Sequence, residues 1–205
     1  LGSDTSGSIT SNAVTNTHTN AINQRVTMVA KADEATVTFS GAITSAFSGM
    51  AAQADAKIEV HADITTGSSH AGGLYLDGDL DNSNDQTNGV EFTDGRTISA
   101  RQTLTLEAAY GGMIAAGSVT LKAGQGIQIL NDFKNSVNNK VMTFNADMLS
   151  QGQGTFSVSS SKTVNSNSGM VTITAWDIDL DGRVDSGTGS VTIHPSKSNH
   201  KIGIG

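Results

Sequence analysis

Val171-Thr-Ile-Thr-Ala-Trp-Asp-Ile-Asp-Leu-Asp-Gly-Arg-Val-Asp-Ser-Gly-Thr-Gly-Ser-Val-Thr-Ile193 holds two copies of one unit, apolar–Thr–apolar, 20 residues apart. Alternation with period two puts Val and Ile on one side of an extended strand and Thr on the other. Gly, Ser and Asp between the copies are turn residues. The unit recurs along most of the chain. It stands at Val26-Thr-Met28, Val37-Thr-Phe39, Ile58-Glu-Val60, Leu74-Tyr-Leu76, Val90-Glu-Phe92 and Leu104-Thr-Leu106. It continues at Val119-Thr-Leu121, Met142-Thr-Phe144, Phe156-Ser-Val158 and Ile202-Gly-Ile204. Helical spacing is confined to Ile43 to Ala56, the one candidate for a short helix.

Spacing and self-similarity choose between a sandwich and a stack. From Leu104 to Val191 the units start 14 to 23 residues apart, which suits the turns of a solenoid. Ile58-Glu-Val-His-Ala-Asp-Ile64 aligns without a gap on Met142-Thr-Phe-Asn-Ala-Asp-Met148, a shift of 84 residues, or about four coils. Val171 to Ile178 matches with one inserted residue, and Gly117-Ser-Val-Thr120 recurs as Gly189-Ser-Val-Thr192. The expectation is an all-β fold, a right-handed parallel β-helix (β-solenoid) with coils of about 20 residues. Residues 1–205 form one solenoid segment, part of a longer chain or assembly.

Composition narrows function. The chain has 23 Gly, 24 Ser, 24 Thr, one Pro and no Cys, with 4% aromatic and 15% charged residues. Disulfide and thiolate-metal chemistry are excluded. The net charge of −7 offers no general attraction for nucleic acid. No apolar run approaches the ~20 residues of a membrane-spanning helix. None of the 15 Asn lies in an Asn-x-Ser/Thr sequon.

Ala175-Trp-Asp-Ile-Asp-Leu-Asp-Gly-Arg-Val184, Gly189-Ser-Val-Thr-Ile-His-Pro195 and Lys201-Ile-Gly-Ile-Gly205 resemble the repeats of filamentous-haemagglutinin-type secreted proteins. Similar arrays occur in large bacterial and algal proteins. The detailed likeness covers residues 169–205, with a weaker version over 72–121. The resemblance implies a right-handed β-helix, export, and a structural role outside the cell or at its surface. It implies no catalytic residue.

Two acidic runs are candidates for chemistry. Asp77, Asp79, Asp81, Ser83 and Asp85 alternate oxygens as a Ca²⁺ loop does. Asp177, Asp179, Asp181 and Gly182 do so too, but Thr188 stands where such a loop needs a bidentate Glu. A strand with Trp176, Ile178 and Leu180 turned inward explains the second run; a solvated turn is the rival for the first. Asp94-Gly-Arg96 and Asp181-Gly-Arg183 pair an acid with Arg, as β-helical polysaccharide lyases do, and read equally as turns. The five His show no metal-ligand spacing. Gly124-Gln-Gly126 and Gly152-Gln-Gly154 lack the Lys-Ser/Thr and helix of a phosphate loop. Thr36/Thr38, Thr103/Thr105 and Thr172/Thr174 offer paired hydroxyls, but their spacing breaks any continuous ladder.

The expected function is therefore structural and non-enzymatic. The chain is a building segment of an extracellular filament, sheath, surface hair or giant surface protein, with itself or neighbouring repeats as partner. Ile202 and Ile204 are the expected joint. No cofactor is required beyond the Ca²⁺ candidate. The alternative is an adhesin-type module binding carbohydrate or a host surface, and behind it a lyase-like β-helix. Tyr75, Tyr110 and Trp176 are the available Tyr or Trp platforms for a sugar.

Overall fold

The computed structural model describes residues 5–12, 14, 22, 24–40, 45–67, 72–84 and 88–202. Among them are 22 strands and no helix. The strands form three sheets, of eight, seven and seven strands, and every pairing is parallel. Parallel neighbours need a crossover, and here the crossover is the rest of the coil. The chain visits the three sheets in fixed rotation and returns one level higher. One coil shows the pattern: Phe133–Asn135 lies on face one, Met142–Asn145 on face two and Thr155–Val158 on face three. This is a parallel β-helix, as the period-two units predict.

The register builds continuous apolar columns. On face one Val37, Ile58, Val90, Met113, Phe133, Val164 and Val184 stack in turn. On face three Val26, Met50, Leu74, Leu104, Ile127, Phe156 and Ile178 do the same. Both columns point to one interior, where most members have no solvent contact. Phe133, Phe144 and Phe156 come from the three faces of a single coil. Their ring centroids lie 6.2 and 4.9 Å apart, so that coil's cross-section is filled by aromatic contact.

Coil length varies more than the expected 20 residues. One level is 20 residues from Thr163 to Arg183, 23 from Thr105 to Gln128 and 34 from Asp63 to Thr97. The surplus goes into corners, which face water and need not stack. The longest corner carries the first acidic run. Backbone donors at two corners are satisfied by buried side chains: Asn131 Oδ1 accepts from the Ala108 N–H at 3.0 Å, and Asp147 accepts from Gln151 and Gly152 at 3.0 and 2.9 Å.

Three expectations are corrected. The candidate helix over Ile43 to Ala56 is extended in its described part, where Ser45–Phe47 and Gly49–Ala54 are strands; Ile43 and Thr44 lie outside the described residues. Small residues there serve close packing, with Ala51, Ala52 and Ala54 buried, and helical spacing of a few alanines carries little weight against sheet pairing on both sides. The aligned heptapeptides do not share a face. Ile58 is on face one and Met142 on face two, so the shift is three coils and a third rather than four. What repeats is a strand followed by an Ala-Asp corner. Trp176 is not inside; Ala175 takes the inward position with no exposure, and Trp176 lies half-buried at the corner.

Candidate functional site

The corner leading from face three to face one gathers the chemistry-bearing residues. Asp77 ends the strand Leu74–Asp77 and sits in register with Gln53 below and Glu107 above. The Tyr75 hydroxyl donates to Glu107 Oε2 at 2.6 Å and lies 3.1 Å from Asp77 Oδ2. Burial pushes the Asp77 carboxyl above its ordinary value, an effect opposed by hydrogen bonds from Gln53 and Tyr75. Burial and the bond to Glu107 push the Tyr75 phenol up, so it stays protonated.

Asp79 turns the other way, into the corner, and is 1% exposed. Its Oδ2 accepts from the Tyr110 backbone N–H at 2.8 Å and its Oδ1 from the Asn88 amide at 3.1 Å. The same amide reaches the Ser83 carbonyl at 2.6 Å. Asp81 is exposed and accepts from the Ser83 N–H at 3.0 Å, an Asx turn. The structure thus splits the first run between a face, a corner and solvent, and Asp85 lies outside the described residues. Among the described residues no three His, Cys, Asp or Glu side chains gather as a metal would require. In the second run Ile178 is buried and Asp177, Asp179 and Asp181 face water, as a strand predicts.

Tyr110, 58% exposed, is the one exposed aromatic ring among the described residues. It overlooks a hollow of about 280 Å³ lined by Asp132, Lys134 and the backbone of Gly111 and Gly112. A Cβ on Gly111 would collide with the Asn88 carbonyl, and one on Gly112, at φ 67°, would come within 2.6 Å of the Asp132 carbonyl. Further along the same corner a hollow of about 490 Å³ is lined by Ser161, Lys162, Thr163, Asp181 and Arg183. The sequence carries no signal for either hollow beyond the presence of Tyr110, because a corner's neighbours are set by coil length.

The Asp-Gly-Arg pairs do not bring their own acid and guanidinium together. Asp94 pairs with Lys140 at 3.0 Å, and that bond with the Ser118 N–H holds its carboxyl low. Arg96 reaches the Asp94 carbonyl and, at 3.8 Å, Asp63. Arg183 pairs with Asp185 at 3.5 Å. The three Thr pairs fall on three different faces. A Thr column does exist, unseen in the spacing: Thr97, Thr120, Thr143, Thr172 and Thr192 stack on face two across five coils. His200 stacks on Trp176, and His18 and His70 lie outside the described residues. Ile202 is half-buried against the chain's own core; Ile204 lies outside the described residues.

Set beside protein-family models, curated proteins and solved structures, the chain matches none. No helix among the described residues is long and apolar enough to cross a membrane.

Proposed function

We propose that the chain is a structural β-solenoid segment, a rod of stacked coils that builds an extracellular filament, sheath, surface hair or giant surface protein. One observation carries the reading. Among the described residues the apolar columns are least covered at the last coil. Val164, Val171 and Ile173 have no exposure, whereas Val184 and Ile193 in the next level are half-buried and Val191 is 43% exposed. Backbone donors and acceptors of the strand Val191–Pro195 face the same way, with face two ending there. An open sheet edge over an apolar interior is satisfied by another coil of the same kind. That coil is a neighbouring repeat of a longer chain or a second copy joined head to tail, and a head-to-tail contact that does not close makes a filament. The likeness to filamentous-haemagglutinin-type repeats supports the extracellular setting.

Sedimentation velocity and negative-stain microscopy test the proposal. The expected result is a concentration-dependent series of linear rods, abolished in Ile193→Lys with the β-sheet circular dichroism unchanged. A monodisperse single-chain particle at high concentration would overturn it.

A further inference from the structure

The corner from face three to face one has the makings of a ligand track. It carries the exposed Tyr110 ring, two hollows, and side chains of both signs. Successive parallel strands lie about 4.8 Å apart, so the hollows, two levels apart, are separated by roughly 10 Å. They are joined as well as aligned: Asp132, in the first hollow, accepts from the Thr163 N–H of the second at 2.8 Å.

We propose that this corner binds an extended neutral glycan, with one sugar ring stacked on Tyr110 and a second unit of the chain seated between Lys162 and Arg183. Three features select that ligand class. A sugar ring presents an apolar C–H face, and an exposed tyrosine is a flat amphipathic surface for it. Sugar hydroxyls both donate and accept, and the track supplies both kinds of partner. Asp132 and Asp181 accept; Lys134, Lys162 and Arg183 donate. The mixture of signs, on a chain of net charge −7, disfavours a polyanion, which would meet Asp132 and Asp181 as well as the cations. Spacing completes the fit, since roughly 10 Å is about the length of two sugars in an extended chain.

The Tyr110 platform is held before any ligand arrives. Its N–H is bonded to buried Asp79 at 2.8 Å, and the Gly112 N–H closes the turn on the Ala108 carbonyl at 3.1 Å. The Ala108 N–H in turn is held by Asn131 at 3.0 Å. A fixed turn spends little ordering entropy on binding. Tyr110 lies lateral to the rod, several levels from its end, whereas the Asp181–Arg183 hollow adjoins the last strands of faces three and one.

Calorimetric titration of the full chain with cellohexaose, xylohexaose, chitohexaose and polygalacturonate tests the inference. At least one neutral hexasaccharide should bind, and its disaccharide should bind about tenfold more weakly, a loss of ~1.4 kcal/mol. Tyr110→Ala should reduce affinity at least about tenfold, Tyr110→Phe should retain it, and Arg183→Ala should weaken it several-fold. Thr143→Ala, on face two, should leave it unchanged. Circular dichroism of each variant confirms the fold. The inference is overturned by no binding of any neutral probe at millimolar concentration, by unchanged binding in Tyr110→Ala, or by tighter binding of polygalacturonate than of every neutral probe.

Discussion

Asp79 and Tyr110 are 31 residues apart in the chain and 2.8 Å apart across one coil boundary, where the buried carboxylate accepts the tyrosine's backbone N–H. The bond ties a corner of one level to the corner of the next. Asp79→Ala strips the acceptor from the Tyr110 N–H and from the Asn88 amide. Buried donors without partners cost about 1–3 kcal/mol each. Urea unfolding should therefore show a loss of about 2–4 kcal/mol, with Asp79→Asn losing less because one oxygen remains. Unchanged stability in the Ala variant would mean that the corner finds other acceptors.

Asp77 predicts a pH dependence of the opposite kind from a surface ion pair. Burial raises its folded-state carboxyl above the ordinary 3.8, with Glu107 adding like charge beside it. The folded state then binds the proton more tightly than the unfolded chain. Stability falls as pH rises from the ordinary value through the raised one, and stays reduced above it. Asp77→Asn should melt higher than the wild type at neutral pH. That advantage should shrink as pH drops through the raised value and vanish below the ordinary one. A variant less stable than wild type at pH 7 would show that the charged form is the one the fold prefers.

Two glycines separate close approach from backbone strain. At Gly111 an added Cβ runs into the Asn88 carbonyl of the level below. At Gly95, φ 78°, an added Cβ meets nothing within 4 Å. Gly95→Ala carries only the left-handed backbone term, roughly 1–2 kcal/mol. Gly111→Ala must push two coils apart and should cost more than about 3 kcal/mol or prevent folding. Paired denaturation curves check the order; equal effects would contradict the close packing at this corner.

The face residues were legible because a single rule places them. Val171-Thr-Ile173 and Val191-Thr-Ile193 read as stacked strands, and they pair in that register. Gly117-Ser-Val-Thr120 and Gly189-Ser-Val-Thr192 share face two, three levels apart. Strands of three residues with one inward apolar side chain, such as Thr163–Asn165, escape an alternation test that needs two. Corners were illegible for a different reason. Asp79 meets Tyr110, and Asp132 meets Thr163, only because the intervening coils have particular lengths. Length is free to vary where the chain does not stack, so a local spacing of carboxylates cannot tell a hydrogen-bonded corner from a cation loop. Trp176 was misplaced by the same effect: alternation carried back from Ile178 and Leu180 ignores that their strand begins at Asp177.

The chain's one tryptophan reports on the open end. Trp176 stacks on His200 with ring centroids 3.6 Å apart and planes 13° from parallel, and Lys197 Nζ lies 5.5 Å from the ring. His200 Nε2 is 2.9 Å from the Trp176 carbonyl, and Ser196 donates to Asp147 at 2.6 Å. These contacts hold residues 196–200 on the corners below, at the level where Val191 and Ile193 are uncovered. In a stack each coil gains stability only from its neighbours, so a coil with one neighbour opens first. Tryptophan fluorescence in urea should show a lower midpoint than far-ultraviolet circular dichroism, which reports the whole stack. His200→Ala should lower the fluorescence midpoint further and leave the circular dichroism midpoint in place. If copies stack end to end as proposed, the last described coil gains a second neighbour. The fluorescence midpoint should therefore climb toward the other as protein concentration rises, and Ile193→Lys should remove the climb. Coincident midpoints at every concentration would show that the solenoid melts as one unit and that its end gains nothing from a second copy.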